Sequence, residues 1–483
     1  MATPLPKNRA PFSLAEIVLA TGGEALGGSP SDRAVGVSSD SRTVTAGEVF
    51  VALVGDRFDG HEHARTAAER GAAVIVASRP IQVPSGTHVV RVDDTLAALG
   101  ALGRAHRRRW AGRGAKRVVG ITGSAGKTTT RHVVAALLGN LGRRVLASVG
   151  NLNNAIGVPH VLFCLDDNHD DAVIEIGMST PGEILRTAAL VEPDAGVVTL
   201  VSDAHTEGVG SIWGVLREKS SLFETVRPGG LVVVNADDAG ARAALVRAAG
   251  RRHLLYGEAN DADVRLVRRV ARGLAGSDLT LEIRRASGEP TRVEMSIPLL
   301  GAAGAYAALA AASVAIGFDD TLADRPEVLS RVLADVGGAE GGRLSPRVAA
   351  DGTLVIDDAY NANPASMIAS IRAAREIADA EGRRLVLVLG VMRELGARSD
   401  ELHAEVGAAA AAASPAALVV VSTEAMARAA EAAGASPKLA ADATAAVEVA
   451  STLVSPGDVV LVKASNSLGL SLVAARLAER TNP

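Results

Sequence analysis

The stretch that decides the fold is Gly120-Ile-Thr-Gly-Ser-Ala-Gly-Lys-Thr-Thr-Thr130. The run Arg117-Val-Val-Gly-Ile-Thr122 predicts a β-strand that enters this stretch, and the residues after Lys127 predict a helix. Glycines between a strand and a helix let backbone N–H groups turn toward phosphate oxygens, and the helix N-terminus adds further N–H groups. A standard P-loop has glycine five residues before Gly126, where this chain has Ile121. The stretch therefore predicts a phosphate-binding loop in a shorter form, Gly-x-x-Gly-Lys-Thr-Thr.

Short apolar strands alternate with helices on both sides of this loop, which indicates α/β domains with parallel sheets covered on both faces. The predicted strands are 48–54, 72–77, 117–122, 172–176, 195–200, 230–235, 354–357, 384–389, 417–421 and 458–463. A helix is predicted at 64–70.

The length of 483 residues is too great for one hydrophobic core, so the chain is expected to form several domains. We predict a small α/β domain at 1–112, a central parallel-sheet domain at 113–335 and a Rossmann-like α/β domain at 336–483. The glycine-rich segment 336–342 has the composition of a linker between the last two.

Composition limits the class of partner. A net charge of −4 argues against nucleic acid, because neutralising its phosphates needs a basic surface. The single cysteine, Cys164, allows no intrachain disulfide. The N-terminus lacks a signal-peptide pattern, and no uninterrupted apolar run reaches the roughly 18 residues of a membrane span. These features predict a soluble, cytoplasmic protein, and we expect a monomer.

Three further features carry weak signals or none. Glu175 follows an apolar run, and a carboxylate at a strand end beside a phosphate loop suits Mg²⁺. His205, in a loop, carries no signal by itself. The basic stretch at 106–117 is compatible with anion binding or with a solvated helix end and linker, and the acidic net charge favours the second interpretation.

Several longer motifs extend over nearly the whole chain. They are Ser39-Asp-Ser-Arg42, Gly47-Glu-Val-Phe-Val-Ala-Leu53, Asp59-Gly-His61, Gly150-Asn-Leu-Asn-Asn154, Ile156-Gly-Val-Pro159, Glu175-Ile-Gly-Met178, Gly182-Glu-Ile184, Asp357-Asp-Ala-Tyr-Asn-Ala-Asn-Pro364, and 390–396 with His403. With these motifs the chain resembles the Mur ligase family, and within it the members that add D-alanyl-D-alanine. The Asp-Asn-Pro-Arg motif of the diaminopimelate-adding members is missing.

The resemblance implies a role for each matched residue. The catalytic positions are Lys127, Lys219, His205 and Glu175. The ATP-binding positions are Gly123, Ser124, Ala125, Gly126, Lys127, Thr128, Thr129, Asn235, Arg343, Asp358, Tyr360 and Asn361. The positions for the UDP-linked substrate are Ser41, Arg42, Asn153 and Asn154. The magnesium ligands are Thr128, Glu175, His205 and Lys219, the last as a carbamate, which is an oxygen donor where an ammonium group is not.

The chain departs from the family pattern at several positions. Where the family has a His-Asn pair and a further Asn before the central helix, this chain has Ala303, Gly304 and Ala307. Val391 replaces an aspartate and Asn466 an arginine. A milder change places Ala359 in the Asp-Asp-Ser-Tyr motif.

The function implied by the resemblance is an ATP- and Mg²⁺-dependent ligase of peptidoglycan precursor synthesis. It would add D-alanyl-D-alanine to UDP-N-acetylmuramoyl-tripeptide through an acyl phosphate. One alternative is a sister ligase with another amino-acid substrate, including a folate- or cyanophycin-type relative. The others are a catalytically weak paralogue that binds a cell-wall precursor or a partner protein, and a P-loop regulatory switch.

Overall fold

The computed structural model describes residues 3–55, 58–203, 206–285, 288–337 and 343–481. His205 and most of the proposed linker at 336–342 therefore lie outside the described residues. The predicted α/β class is confirmed, because parallel sheets packed against helices form most of the described chain.

The N-terminal part folds around a small, mainly parallel sheet. Its elements are β1 (Pro11–Ser13), α1 (Leu14–Thr21), β2 (Glu24–Ala25), β3 (Arg33–Val35), β4 (Val37–Ser38), β5 (Val49–Val51), β6 (Val54–Gly55), β7 (Phe58–Asp59), α2 (Ala64–Glu69), β8 (Val74–Ala77), β9 (His88–Arg91) and α3 (Thr95–Ala111). The sheet order is β2-β9-β8-β5-β4, with β2 antiparallel to its neighbour. Its apolar residues pack against α1 and α3.

The central part is built on one long sheet that carries the phosphate-binding loop. Its elements are β10 (Arg117–Thr122), α4 (Lys127–Asn140), β11 (Val145–Ala147), α5 (Gly157–Leu162), β12 (Asp171–Glu175), α6 (Glu183–Val191), β13 (Ala195–Val198), α7 (Thr206–Val209), α8 (Ile212–Thr225), β14 (Leu231–Asn235), α9 (Ala239–Ala243), β15 (Arg252–Gly257), β16 (Val264–Ala271), β17 (Ser277–Ile283), β18 (Thr291–Ile297), α10 (Gly301–Phe318) and α11 (Pro326–Ala334). Within the described chain the order is β11-β12-β10-β13-β14-β15-β16-β17-β18. Strands β11 to β16 are parallel, and β17 and β18 extend the sheet antiparallel.

Alternation along β10 divides the core of this sheet into two layers. Val119 and Ile121 face α4 and α10, whereas Val118 faces the layer of α6 and α8. Successive side chains of a strand point to opposite faces, so a run of apolar residues needs cover on both. Because both faces are covered, the phosphate loop and Glu175 are left at the carboxyl edge of the parallel strands, where ligands bind in open α/β sheets.

Helix α10 corrects one expectation from the sequence. Contrary to that expectation, the segment Gly301–Phe318 has the length and apolarity of a membrane span, with a mean hydropathy of 1.6. In the fold, however, 78% of this segment is buried. It packs against α4 and β14 to β16, so its apolar composition is accounted for by the protein core.

The last part of the chain is a second open α/β sheet. Its elements are β19 (Ser345–Val348), β20 (Leu354–Asp357), α12 (Pro364–Ala380), β21 (Leu385–Gly390), α13 (Ser399–Ala412), β22 (Ala417–Val421), α14 (Glu424–Ala432), β23 (Lys438–Ala440), α15 (Ala443–Leu453), β24 (Val459–Lys463) and α16 (Ser471–Ala478). The order among described residues is β19-β20-β24-β21-β22-β23, parallel except for β19. The Rossmann-like prediction is confirmed.

The basic stretch at 106–117 is only partly the solvated helix end and linker predicted for it. Helix α3 ends at Ala111 and residues 112–115 are exposed, but one face of the helix end is buried. Arg107 is 9% exposed and donates hydrogen bonds to the carbonyls of Val191 and Glu192 at the end of α6. Trp110 is 2% exposed. This part of α3 therefore connects the N-terminal part to the central part. Arg104 and Arg108 also donate hydrogen bonds to the carboxylate of Glu192.

The C-terminal part contacts the central part beside the phosphate loop. The side-chain amide of Asn363, just before α12, donates to the carbonyl of Ser124 at 3.0 Å. Farther along the same boundary, Arg398 pairs with Asp203 at 2.9 Å. The contact of Asn363 holds the beginning of α12 beside the loop.

Candidate functional site

The phosphate-binding loop connects β10 to α4 in a conformation that needs its glycines. Gly123 has φ +155° and Gly126 has φ +80°. A Cβ at position 123 would lie 1.8 Å from the hydroxyl of Thr199, which itself donates to the carbonyl of Ala125 at 2.6 Å. The loop backbone thus lies directly on the end of β13. Gly126 and the first residues of α4 line the cavity, and the unpaired N–H groups of a helix start suit an anion.

Lys127 is the first residue of α4, and its side chain folds back over the loop. Its ammonium group donates to the carbonyl of Gly123 at 2.8 Å, while part of the side chain borders the cavity. Burial lowers the pKa of Lys127 below its usual value; the charge of Glu175 opposes this shift, and that of Arg343 adds to it. A cation held against a phosphate loop can reach the terminal phosphates of a nucleotide.

Glu175 ends β12 beside this lysine. Its carboxylate accepts a hydrogen bond from the hydroxyl of Thr128 at 2.7 Å and another from the amide of Asn153 at 3.0 Å. Its backbone N–H donates to the hydroxyl of Ser148 at 3.0 Å. The guanidinium of Arg131, 1% exposed, lies 3.8 Å from the carboxylate. The carboxylate and hydroxyl oxygens of Glu175 and Thr128 are hard donors of the kind Mg²⁺ prefers.

Lys219 is buried in the middle of α8, with 1% of its surface exposed. Burial, and then the positive charge of Lys127, lower its pKa well below the usual value. The carboxylate of Glu218, the preceding residue in the sequence, accepts a hydrogen bond from the backbone N–H of Gly182. A lowered pKa favours the neutral amine over the ammonium form, and the neutral amine has a free lone pair.

The C-terminal part supplies the opposite wall. The guanidinium carbon of Arg343 lies 4.5 Å from the centre of the Tyr360 ring. Asp358 accepts a hydrogen bond from the backbone N–H of Leu344 at 3.2 Å and pairs with the ammonium of Lys463 at 2.6 Å. Asp358 is buried, and its contacts hold the segment that carries Arg343.

These walls enclose a cavity of about 790 Å³. Among the described residues, the predicted positions that line it are Ser124, Ala125, Gly126, Lys127, Thr128, Thr129, Asn153, Asn154, Glu175, Asn235, Arg343, Asp358, Tyr360 and Asn361. The structure therefore brings most of the predicted nucleotide and metal positions together.

Other predicted positions lie elsewhere or serve the fold as well. Arg42 is exposed in the N-terminal part and pairs with Asp40, which raises the pKa of Arg42. Ser41 is buried beside it, and neither residue is part of the described cavity wall. Asn154 accepts the backbone N–H of Gly157, the first residue of α5, at 2.8 Å. Within the described residues no cluster of three or more His, Cys, Asp or Glu side chains forms a ready metal site.

Several site residues were missed at the level of sequence. Ser148 and Arg131 contact Glu175, and Asn363 contacts the loop, although only tertiary structure brings them there. Asn363 had one local signal, because Asn-Pro-Ala-Ser is a helix-start pattern and its side chain caps α12. Tyr306, which also borders the cavity, had no local signal.

Three family models match the chain. The model described as Mur ligase family, catalytic domain matches residues 33–107; Mur ligase middle domain matches 121–315; and Mur ligase, glutamate ligase domain matches 342–466. Of individual proteins, the UDP-N-acetylmuramoyl-tripeptide--D-alanyl-D-alanine ligase of Escherichia coli is 36% identical over 393 residues, covering 78% of this chain and 79% of that protein.

Solved structures give a similar result. MurF from Acinetobacter baumannii superposes with a TM-score of 0.85 at 29% identity, covering 99% of this chain and 100% of that one. MurF ligase from Thermotoga maritima, solved in complex with ADP, has a TM-score of 0.76 at 27% identity, covering 92% and 96%.

Proposed function

Because this chain belongs to the Mur ligase family, we propose that it joins UDP-N-acetylmuramoyl-tripeptide to D-alanyl-D-alanine with cleavage of ATP, in peptidoglycan precursor synthesis. The single observation that carries the proposal is the cavity in which Lys127, Glu175 and Arg343 meet. Its support is the similarity to proteins named for this reaction over more than three quarters of the chain. The protein acts in the cytoplasm as a monomer.

The three predicted domains divide the work. Residues 1–112, with Ser41 and Arg42, bind the UDP end of the acceptor, for which arginine suits the diphosphate. Residues 113–335 bind ATP, and Asn153 and Asn154 hold the sugar-peptide. Residues 336–483 bind the incoming D-alanyl-D-alanine and bring Arg343 to the phosphates. These boundaries follow the motifs and remain part of the proposal.

The reaction proceeds in two steps. A carboxylate is a poor electrophile, so the γ-phosphoryl group first moves from ATP to an oxygen of the peptide carboxylate, and ADP leaves with the electrons of the broken P–O bond. The amine of D-alanyl-D-alanine then attacks the acyl carbon and loses a proton as phosphate leaves. Lys127 and Arg343 offset the charge on the phosphoryl oxygens, and the two facing walls hold the reactants in line and exclude water.

The residues beside the loop fit magnesium. Thr128 and Glu175, whose oxygens lie 2.7 Å apart, would hold one ion. The resemblance to the family assigns a second ion to His205 and a carbamate on Lys219. When bound, magnesium supplies positive charge to the phosphate oxygens. Asn153 orients the carboxylate of Glu175 through the amide at 3.0 Å.

Lys219 is suited to become a carbamate because a neutral amine adds to CO₂, forming a C–N bond and releasing a proton. Burial depresses its pKa and so favours the neutral amine. We expect protein incubated with ¹³C-bicarbonate to show a carbamate resonance that is missing in Lys219→Ala. A spectrum without this resonance in the active wild-type protein would refute the assignment.

The decisive experiment measures phosphate release from ATP with magnesium, UDP-N-acetylmuramoyl-tripeptide and D-alanyl-D-alanine, with each omitted in turn. The mass of the product is determined by mass spectrometry. We expect release only with both substrates, and a product mass equal to their condensation. Lys127→Ala should lower kcat by roughly a hundredfold or more, because it removes a charge that stabilises the transferring group. Lys438→Ala, at an exposed lysine of β23, is the matched control.

Other outcomes identify the rivals. Tight binding of the UDP precursor without phosphate release would favour the catalytically weak paralogue, which the departures at Ala303, Gly304, Ala307, Val391 and Asn466 suggest. Release with a different amino-acid substrate would favour a sister ligase. Release from ATP without any carboxylate substrate would favour a regulatory switch.

A further inference from the structure

One end of the cavity is formed by aromatic and apolar side chains instead of by charges. Tyr306, in the second turn of α10, and Tyr256, in β15, meet edge to face with ring centres 6.4 Å apart. Tyr256 is buried, whereas Tyr306 is half-buried and keeps a surface at the cavity. Leu274, Pro298 and Leu299 line the cavity with them.

The ring of Tyr306 is fixed at its polar end as well. Its hydroxyl donates to the carboxylate of Asp237 at 2.6 Å. That carboxylate also accepts the backbone N–H groups of Glu258 at 2.6 Å and Ala259 at 2.9 Å, so it cannot swing away without losing three bonds. The backbone N–H of Asp237 donates to the side chain of Asn235 at 3.0 Å, which links this network to the end of β14.

The neighbouring positions on α10 have no polar side chain that could bind a base edge. Residues 302 to 305 and 307 are alanine or glycine. An amide side chain at Gly304 would also be strained, because its Cβ would lie 2.7 Å from the Cβ of Leu299. Tyr306 is therefore the one large side chain that the first two turns of this helix, all within the described residues, present at the cavity.

We propose that the ring of Tyr306, held in place by Asp237, is the surface on which the nucleobase of ATP stacks. This inference rests on the proposed use of ATP and adds the residue that binds the base. The phosphate loop and the Tyr306 ring border one continuous cavity, so a nucleotide has its triphosphate at the loop and its base at the ring. Stacking on an aromatic ring tolerates any base, because every base has a π face.

The test compares MgATP with magnesium tripolyphosphate, which has the phosphates but no base, by calorimetry in the absence of peptide substrates. We expect Tyr306→Ala to raise the Kd of ATP roughly five- to a hundredfold, the range found for stacked bases, and to leave that of tripolyphosphate within about twofold. Tyr306→Phe keeps the ring and should stay within about threefold of wild type for ATP. The affinity for GTP should fall in Tyr306→Ala by about the same factor as the affinity for ATP.

The controls separate this inference from the proposed function. Lys127→Ala should weaken ATP and tripolyphosphate alike, and Tyr306→Leu repeats the loss of ATP binding with a side chain of larger volume if the alanine variant unfolds. Unchanged ATP affinity in Tyr306→Ala or Tyr306→Leu would overturn the inference. An equal loss of affinity for tripolyphosphate would also overturn it, as would a wild-type protein that does not bind ATP. Tyr306-dependent ATP binding by a protein that forms no peptide product would uphold it and refute only the ligase function.

Discussion

At the scale of single residues, buried histidines give the fold a defined response to acid. His160 lies in α5, and the ring nitrogen Nε2 is 2.9 Å from the hydroxyl of Ser39 in the N-terminal part. Burial lowers the pKa of His160 to about 4. The unfolded chain takes up this proton near pH 6.5. Between these values the unfolded state binds more protons than the folded state, so stability falls as the pH falls.

We predict that wild type loses up to about 3 kcal/mol of unfolding free energy through His160 as the pH drops from about 6.5 to about 4. His160→Gln keeps a hydrogen-bonding group but does not titrate, so its stability should fall less over this range. Urea unfolding at pH 7.5, 6 and 5 measures the difference. His63→Gln, at an exposed histidine, should behave as wild type. Parallel pH profiles for wild type and His160→Gln would contradict the prediction.

The residues of the site differ in how visible they are in the sequence. Lys127 and Glu175 follow apolar runs that predict strands, so their place at the sheet edge can be inferred from the amino-acid pattern alone. Asp237 and Tyr306 are 69 positions apart and meet only because α10 packs across β15. No local pattern encodes such a contact, which is why the sequence did not reveal it.

At the scale of elements, the turn from β10 into α4 is the most constrained part of the site. Gly123→Ala places a methyl group 1.8 Å from the hydroxyl of Thr199 at a positive φ. We expect it to lower the unfolding free energy by about 1–3 kcal/mol and to abolish binding of magnesium tripolyphosphate. Thermal unfolding and calorimetry measure the two effects.

The same helix provides the opposite control. Gly139 lies in the last turn of α4 with open space around it. Gly139→Ala should therefore stabilise the protein by about 0.5–1 kcal/mol, because alanine is the better helix former, and leave tripolyphosphate binding unchanged. Equal effects from the two substitutions would show that the loop conformation does not depend on its glycine.

Elements with continuous apolar runs were predicted well, and those with mixed patterns were not. The predicted strands 117–122, 354–357 and 417–421 match β10, β20 and β22 at both ends. Strands β16 to β18 were missed, since one face of this antiparallel extension is half exposed and its charged residues interrupt the apolar signal. The two-residue strands β2 and β4 in the N-terminal part are too short to show any period.

At the scale of the whole molecule, Asn363 couples the C-terminal part to the phosphate loop. It has two tasks, since its oxygen caps α12 and its amide donates to Ser124. Asn363→Ser keeps a capping oxygen and removes the donor to the loop. We expect kcat/KM for ATP to fall about 2- to 12-fold, the equivalent of one hydrogen bond, with thermal stability nearly unchanged.

The matching control is Asn363→Ala, which removes the cap as well and should lower the unfolding temperature in addition to kcat/KM. Steady-state kinetics and calorimetric melting distinguish the two variants. If Asn363→Ser showed wild-type kinetics, the contact with Ser124 would be a packing feature without a role in turnover.

The position of Arg343 couples nucleotide binding to the contact between the central and C-terminal parts. Its charge contributes to the lowered pKa of Lys127, so the C-terminal part and the phosphate loop place two cations at the same cavity. Like charges repel, and a polyphosphate between them turns the repulsion into attraction. We expect nucleotide binding and the contact between the central and C-terminal parts to be thermodynamically coupled, so that each strengthens the other by the same factor. Bound ATP would therefore stabilise the contact between the central and C-terminal parts. Added salt should weaken this contact and the affinity for ATP together.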